Sequence, residues 1–471
     1  MKKVLSLVLS LCLLLSVVSI ASAEDVVTLR WVTIGSGMPA NYEAWLQKVN
    51  PYLAEKIGVN IDMEVVSWGD WGNRRSVIVN TNEPFDIIFG DSGTYNSDVN
   101  LGAYLDITDL VQTAAPTLYS MIPASYWDAC RIGGKVYAVP TYKDSSQSQY
   151  FVWDQAVLDE LKLDASVVHT LDAATPLLTA IKDAKGEASF PLSTSSTASF
   201  VLSQYDNMNT GLNAIGVRFD DATAKVVPVY EQEDVMASLT TLHSWFEAGI
   251  INSDASTLPE NAKYRVCAIA QGWPSAAKTT WGPNMGVEAV AYQWGETIVS
   301  NDTVRGSLNS ISVNSQHPEK ALAFLELLNT DSWLRDSFYY GVEGDNWQYT
   351  DKGRVHKNNT DWTMAGYTQG TFFQVTPTDD VEINQWDEVK ALNEAAKPSV
   401  LLGFTFDTSK VQDQIASCNE IVKRYSSEVL TGTTDPAVAV PQMMQEMRDA
   451  GFDEIVAEAQ VQVDAFMAAK K

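Results

Sequence analysis

One short segment carries residues that could perform nucleophilic chemistry. The run Gly90-Asp91-Ser92-Gly93 is similar to the glycine-flanked nucleophile of serine proteases. In that fold the histidine that serves as the base precedes the serine in the chain. The four histidines here, His169, His243, His317 and His356, all follow it. The chain order therefore does not support a serine-protease site.

Other catalytic and metal-binding patterns give no better support for an enzyme. The sequence has no H-E-x-x-H motif, no Walker loop and no glycine-rich dinucleotide turn after a strand. The 59 acidic residues would always allow some carboxylate pair to be nominated for glycoside hydrolysis, but the sequence favours none. Cys130, Cys267 and Cys418 are too widely spaced to indicate a disulfide framework or a zinc site. We predict no catalytic residue, metal or cofactor.

The chain is better supplied with groups for binding. It contains 14 tryptophans and 18 tyrosines. Sugars present flat patches of C–H groups that pack on aromatic faces, and aromatic side chains bury much area for little loss of rotamer entropy. Their hydroxyl groups pair with planar donors and acceptors such as Asp, Glu, Asn and Arg. Trp45 and Trp245 lie on apolar helical stripes and are predicted to be core residues.

Several of the remaining aromatic and polar residues follow predicted strands. An open α/β sheet places its ligands in the loops after the carboxyl ends of its strands. The residues in such loops are Trp68 and Trp71 after residues 59–65, Asp91, Ser92 and Tyr95 after residues 85–89, Tyr142 and Lys143 after the strand ending at Pro140, and Trp273 after residues 265–270. We predict that these residues contact a ligand. Trp294 and Trp347 are further candidates, although both could be residues that pack the lobes.

The elements that position these loops begin with a strand–helix–strand pattern. Alternation from Val27 to Trp31, helical spacing from Tyr42 to Leu53, and alternation again over 59–65 predict the opening of an open α/β sheet. Further strands are predicted at 149–153, 188–192, 265–270 and 307–313, with helices around 158–161, 235–246 and 322–328.

The end of the chain has a distinctive helical pattern. Apolar positions from Val411 to Val429 are spaced by three or four residues, which is typical of one helix face. Asp435-Pro436 is predicted to begin a second helix, and Asp453 is predicted to cap a third after Gly451.

The string GFTFD…LTGTTDP…AGFDEIVAEAQVQVDAF in this region resembles the C-terminal module, of unknown function, found in a subset of family 1 extracellular solute-binding proteins of bacterial ABC importers. Three other segments, 132–140, 316–321 and 340–349, are similar to family segments as well. The resemblance extends over essentially the whole chain after residue 23.

This resemblance implies a type II periplasmic-binding-protein fold, α/β, with two lobes joined by a hinge that the chain crosses three times. Lobe one would comprise residues 24–142 and about 305–398, and lobe two residues 143–304 and about 399–471, including the helical module. An aromatic residue in the context of Gly272-Trp273 stacks on a sugar in such proteins, and Phe404 and Phe406, near the last crossing, are further candidates for ligand contact.

The implied function is capture of an oligosaccharide and its delivery to an ABC permease. A peptide or other polar metabolite is the alternative ligand, and a secreted carbohydrate-active enzyme is the third possibility. A peptide would call for a carboxylate-binding arginine, and only Arg74, Arg75 and Arg131 lie near the candidate loops.

The N-terminus predicts export. Lys2 and Lys3, an apolar run over residues 4–20 and an A-x-A site at 21–23 are typical of a signal peptide, whose removal leaves 448 of the 471 residues. Cys12 follows a leucine rather than a small residue, so the pattern does not predict a lipid anchor. Loss of the two lysines takes the net charge from −27 to −29, which disfavours nucleic acid as a partner. We expect a secreted, extracytoplasmic monomer, in the periplasm or at the outer face of the membrane.

Overall fold

A computed structural model describes residues 26–186 and 190–470. The predicted signal peptide and Cys12 lie outside these residues, as do two residues of the strand predicted at 188–192. Within the described part of the chain, no helix is both long and apolar enough to cross a membrane.

The β-strands of the described residues include only four of eight or more residues, two in each of the two main sheets. In chain order they are β1 (Val27–Gly35), β2 (Val59–Ser67), β3 (Ile87–Gly90), β4 (Arg131–Ile132), β5 (Lys135–Val136), β6 (Ala138–Pro140), β7 (Gln147–Asp154), β8 (Tyr205–Asp206), β9 (Ile215–Arg218), β10 (Val227–Pro228), β11 (Cys267–Gln271), β12 (Ala289–Val299), β13 (Leu308–Ile311), β14 (Trp347–Tyr349), β15 (Val355–Lys357) and β16 (Lys397–Pro398).

The α-helices flank these sheets and form the end of the chain. They are α1 (Tyr42–Ile57), α2 (Trp71–Thr81), α3 (Tyr95–Asn100), α4 (Leu110–Ala114), α5 (Pro116–Met121), α6 (Ala124–Ala129), α7 (Gln155–Leu161), α8 (Leu171–Lys185), α9 (Glu233–Glu247), α10 (Gly282–Met285), α11 (Asn301–Val304), α12 (Pro318–Thr330), α13 (Ser332–Tyr340), α14 (Gln385–Ala395), α15 (Gln412–Leu430), α16 (Pro436–Asp449) and α17 (Phe452–Ala469).

The first sheet has the strand order β2-β1-β3-β13-β6. The strands β1, β2 and β3 run parallel, whereas β13 is antiparallel to β3 and β6. β1 alternates between buried and less buried residues up to Trp31 and is buried from Trp31 to Gly35. Trp31 on this strand packs against Phe324 and Phe338, with ring centroids 5.7 and 5.9 Å apart. Trp45 is buried in the same core, as predicted.

The second sheet, β11-β7-β12-β16, has its own core. β7 runs antiparallel to both β11 and β12, and β16 adds a short parallel pairing to the end of β12. Trp245 lies in this core, as predicted. The chain passes between the two sheets three times: from β6 to β7, from β12 to β13, and from α14 to β16. The two sheets with flanking helices form the predicted two-lobed α/β architecture, while the exact residue limits of each lobe remain a prediction.

The C-terminal helices pack on the second core with the face that their spacing predicts. Ile415, Cys418 and Met443 are among their buried residues. The Asp435 side chain accepts a hydrogen bond from the Ala437 amide, so it caps α16 as expected. The cap predicted for the last helix is wrong: Gly451, with φ of 93°, is the cap, and Asp453 lies in the first turn. The close approach of Gln414 explains the glycine, since a Cβ there would lie 2.6 Å from its Cγ.

Three other predicted strands have different limits. The strand predicted at 85–89 is Ile87–Gly90, the one at 265–270 is Cys267–Gln271, and the one at 307–313 is Leu308–Ile311. Of the described part of 188–192, Leu192 forms only isolated bridges, to Ile251 and Cys267. These shifts do not move the loops that follow the strands.

Candidate ligand cleft

An exposed aromatic platform lies at the carboxyl end of the first sheet. Trp68, which follows β2, stacks on Tyr367 with ring centroids 6.2 Å apart and planes 9° from parallel. The Trp68 indole donates to the Ser36 hydroxyl over 3.2 Å, and its side chain is 49% exposed. Sequence reasoning missed Tyr367, because it belongs to a 3-10 turn that follows no strand. The platform offers a flat apolar face beside hydroxyl groups.

Charged groups surround Tyr367. The Lys143 ammonium lies 5.7 Å from the Tyr367 ring and 2.8 Å from Asp144 Oδ1. Burial, with smaller contributions from the Asp91 and Asp144 carboxylates, raises the pKa of Tyr367, so its phenol is neutral and can donate or accept a hydrogen bond. Thr94 Oγ1 donates to Asp91 Oδ1 over 3.0 Å. Asp91 and Lys143 of the predicted set are thus brought together around a residue that was not predicted.

The second lobe contributes a cavity of about 230 Å³ whose lining side chains are all uncharged. Gln149 and Gln271 are cross-strand neighbours on β7 and β11 at one end of it. Serine and threonine hydroxyls line another side, at residues 193–199. Ser193 Oγ and Asn261 Oδ1 are buried there without a hydrogen-bond partner on the described residues. Buried polar atoms are normally satisfied, so this cavity suits a hydroxylated ligand or water.

Polar surface continues from this cavity toward the hinge. A second cavity, of about 180 Å³, shares Gln147 and Ser199 with the first and reaches Asp302. Asn209 donates to Asp302 over 3.0 Å and lines a third cavity, of about 700 Å³, between the lobes. The second lobe therefore presents an elongated polar cleft rather than one compact pocket.

Trp273 lies where the two lobes meet. It follows β11 and Gly272, whose Cβ position would be 2.7 Å from the Trp281 ring, so the turn requires glycine. Trp273 is half-buried, with its ring centroid 6.1 Å from that of Trp386 on α14. Nearby, the Ser275 amide donates to Glu388 over 2.8 Å. The Trp273 indole N–H is buried without a partner on the described residues. Its ligand-binding role remains a prediction.

Several predicted site residues belong to the hydrophobic cores. Tyr95 and Trp347 are fully buried, and each donates to a backbone carbonyl: Tyr95 to Cys130 over 2.7 Å and Trp347 to Gly341 over 2.8 Å. Their side chains present no surface to a ligand in this structure. The rule that places a ligand after a strand locates the backbone, but the Tyr95 side chain at the start of α3 is buried and packs against Tyr104.

The other predicted residues have mixed environments. Four of them are buried, namely Trp71, Tyr142, Phe404 and Phe406, and Trp294 is partly buried. Four of these five pack against other aromatic rings: Trp71 against Phe89, Tyr142 against Tyr126 and Phe373, Phe404 against Phe466, and Trp294 against Phe200. Ser92 and Phe406 line the third cavity. Packing against other aromatic rings therefore explains the burial of most of the predicted residues that do not line a cavity.

The three arginines near the candidate loops are engaged with carboxylates of the chain itself. Arg74 pairs with Glu64 and Glu83, Arg75 with the buried Asp98, and Arg131 with Asp128. A ligand carboxylate would have to displace one of these pairs.

Comparison with known proteins identifies the family. Residues 35–333 match the family described as bacterial extracellular solute-binding protein. The chain belongs to that family. The resemblance predicted from sequence is thus confirmed, and family membership places the protein outside the cytoplasm. Residues 400–468 match a second family, described as Domain of unknown function (DUF3502). A carbohydrate ABC transporter substrate-binding protein of Streptococcus pneumoniae serotype 4 is 30% identical over 473 residues, covering 96% of this chain and 93% of that protein.

Solved structures extend the similarity to three dimensions. The N-glycan transport solute binding protein of Streptococcus pneumoniae is 27% identical, covers 94% of this chain and 100% of its own, and gives a TM-score of 0.85. Its complex with Man1GlcNAc is 27% identical, covers 94% of this chain and 100% of its own, and gives a TM-score of 0.77. Its complex with Man5GlcNAc is 28% identical, covers 94% of this chain and 99% of its own, and gives a TM-score of 0.74. The predicted type II periplasmic-binding-protein fold is confirmed. These relatives are substrate-binding proteins rather than enzymes.

Proposed function

We propose that the protein captures a neutral oligosaccharide between its two lobes and delivers it to the membrane permease of an ABC transporter. The observation that carries the proposal is the pairing of two surfaces. Lobe one supplies the exposed aromatic platform of Trp68 and Tyr367, and lobe two supplies a cavity whose lining side chains are all uncharged and whose polar groups are hydroxyls and amides. Sugar rings stack on the first kind of surface, and their hydroxyl groups pair with the second.

The relatives support the same ligand class. A carbohydrate importer component and an N-glycan transport protein with bound mannose-containing sugars are similar to this chain over nearly its whole length. The lower TM-scores of the two sugar complexes are what a protein that closes on its ligand would give against an open structure. We propose such closure here, with affinity governed by a hinge equilibrium.

The peptide alternative is less well supported. The neutral cavity contains no cation for a peptide carboxylate, and each arginine near the predicted loops already pairs with a carboxylate. Calorimetric titration with neutral oligosaccharides and with peptides of similar size separates the two. We expect heat of binding from at least one oligosaccharide; binding of peptides alone would refute the proposal.

We further propose that the protein releases its ligand unaltered and is not an enzyme. Chromatography of the bound oligosaccharide after long incubation is expected to recover it intact. Shorter products, absent from a control without protein, would contradict this.

The export predictions also stay proposals. We propose a cleaved signal segment at residues 1–23, secretion without a lipid anchor, and a monomeric mature protein that does not bind nucleic acid. Mass spectrometry of the exported protein would test the cleavage and lipidation, and light scattering would test the oligomeric state.

A further inference from the structure

The largest of the three cavities lies between lobe one and the C-terminal module. Its volume is about 700 Å³, within the ~300–1,000 Å³ typical of ligand pockets. One wall comes from residues 92–100 and 132–133 of lobe one, and the other from residues 405–412, which begin the module matched as a domain of unknown function. The cavity follows β3, at the same end of the sheet as the aromatic platform.

Residues at the start of the module wall are held in place by the second hydrophobic core. Phe404 and Phe406 are 4% and 3% exposed and belong to the second core. Along this extended segment Thr405 and Asp407 line the cavity, as does the buried Phe406. The backbone amide of Ser409 holds the pKa of Asp407 below its usual value, so the carboxylate is an acceptor at neutral pH.

A buried arginine fixes the two walls to each other. Arg305 donates to Ala129 O over 2.6 Å and to Asn96 Oδ1 over 3.1 Å on the lobe-one side. On the lobe-two side it donates to Thr405 Oγ1 over 2.8 Å and to Asn209 Oδ1 over 3.3 Å. These bonds use its guanidinium donors internally, so the cavity presents no cation from this residue.

The chemistry of the lining selects one ligand class. Lysine and arginine are absent from it, and the only ionised side chain is Asp407. The remaining polar groups are hydroxyls and amides, among them Asn100 and Gln412, whose exposed side chains have no hydrogen-bond partner on the described residues. An anionic ligand would meet a carboxylate without a counter-charge, whereas sugar hydroxyls would find both donors and acceptors.

We propose that this cavity is a distal subsite for further sugar residues of the oligosaccharide, and that the C-terminal module thereby sets the ligand length that the protein prefers. Asn209, which lines this cavity, donates to Asp302, which lines the neighbouring one, and in this proposal one extended ligand spans both across that contact. This inference rests on the proposed oligosaccharide function.

The test compares long and short ligands on variants of both walls. The probes are the longest and the shortest neutral oligosaccharides that bind the parent protein, from a panel that includes Man5GlcNAc and Man1GlcNAc, the sugars bound by the pneumococcal relative. The variants are Asn100→Ala, Gln412→Ala and the cavity-filling Ser409→Trp. Gln445→Ala is the matched control, because Gln445 is exposed on another helix of the module and bonds only Asp449. Thermal unfolding confirms that each variant is folded.

We expect Asn100→Ala and Gln412→Ala to weaken binding of the long ligand about threefold to tenfold, the range for one neutral hydrogen bond. Ser409→Trp should weaken it more than about tenfold. Affinity for the short ligand, and for both ligands in the control variant, should not change. Equal losses for both lengths, or unchanged affinities throughout, would overturn the subsite and leave the proposed function intact. A parent protein that binds no oligosaccharide would overturn both.

Discussion

The Trp68→Ala substitution gives the sharpest test of the aromatic platform. Trp68 is 49% exposed and stacked on Tyr367, so one of its faces is free to receive a sugar. If it binds ligand, its removal should reduce affinity strongly and unliganded stability weakly. Removal of a core tryptophan would instead reduce the unliganded stability strongly and the ligand affinity weakly.

The structure fixes both magnitudes. A tryptophan can bury up to ~250 Å², so roughly 120 Å² of Trp68 remains for a ligand to cover. At ~25 cal/mol per Å² this area is worth ~2–3 kcal/mol, or about 30- to 150-fold in Kd. In the unliganded protein the substitution removes one aromatic pair, worth ~0.5–1.5 kcal/mol, and the exposed bond to Ser36.

Calorimetry with the best-binding oligosaccharide measures the first quantity, and denaturant unfolding without ligand measures the second. Trp347→Ala is the reference for a core tryptophan, because Trp347 is fully buried and its loss should cost ~3–5 kcal/mol. Trp68→Phe should retain most of the affinity, since it keeps an aromatic face. Unaltered affinity in Trp68→Ala, or a stability loss as large as that of Trp347→Ala, would refute the reasoning.

Three further predictions follow from the cleft and from one surface ion-pair network. Small-angle scattering should report a smaller radius of gyration at saturation with oligosaccharide, and an unchanged radius would argue for a preformed pocket. Trp273→Ala should weaken ligand binding by ~2 kcal/mol and should cost less stability than Trp347→Ala, because Trp273 is only half-buried. Calorimetry measures the affinity and denaturant unfolding measures the stability. Unchanged affinity in Trp273→Ala would show that Trp273 is a packing residue. Hydrogen bonds from Arg74 and Arg30 lower the pKa of Glu83 from 4.5 to about 2, so this carboxylate stabilises the fold above pH 4.5 and its contribution is lost as the pH falls toward 2. Glu83→Gln should flatten the decline of Tm with pH across that range, and an unchanged slope would contradict the assignment.

The sheets and the long helices could be predicted because one face of each element is buried. The burial of one face produces period-two alternation from Val27 to Trp31 and an apolar stripe from Val411 to Val429. The structure has β1 and α15 at these positions. Strand limits shifted by up to two residues where the buried run extends beyond the hydrogen-bonded ladder, as at Phe85. Such shifts leave the order of elements intact.

The candidate site was harder to predict, because strand ends locate loops but not the directions of side chains. Trp68 and Tyr95 both follow strands of the first sheet, yet one is half-exposed and the other fully buried. Tyr367 reaches the platform from a distant turn that local pattern could not place. The glutamines of β7 could have been predicted from the sequence, because this strand begins with polar residues and is otherwise mostly apolar and buried. One of them, Gln149, lines the neutral cavity.

The segment that carried the family resemblance has a physical explanation that links the module to the cleft. Its aromatic residues, Phe404 and Phe406, lie in the second core, while the alternate positions, Thr405 and Asp407, line the inter-lobe cavity, which Phe406 also reaches. An extended chain turns successive side chains to opposite faces, so a single short segment both fastens the module to lobe two and presents polar groups to lobe one. Arg305 then bonds Thr405 and lobe-one carbonyls together. The module is thereby tied to both lobes, and its polar wall lies on the cavity between them rather than in bulk solvent.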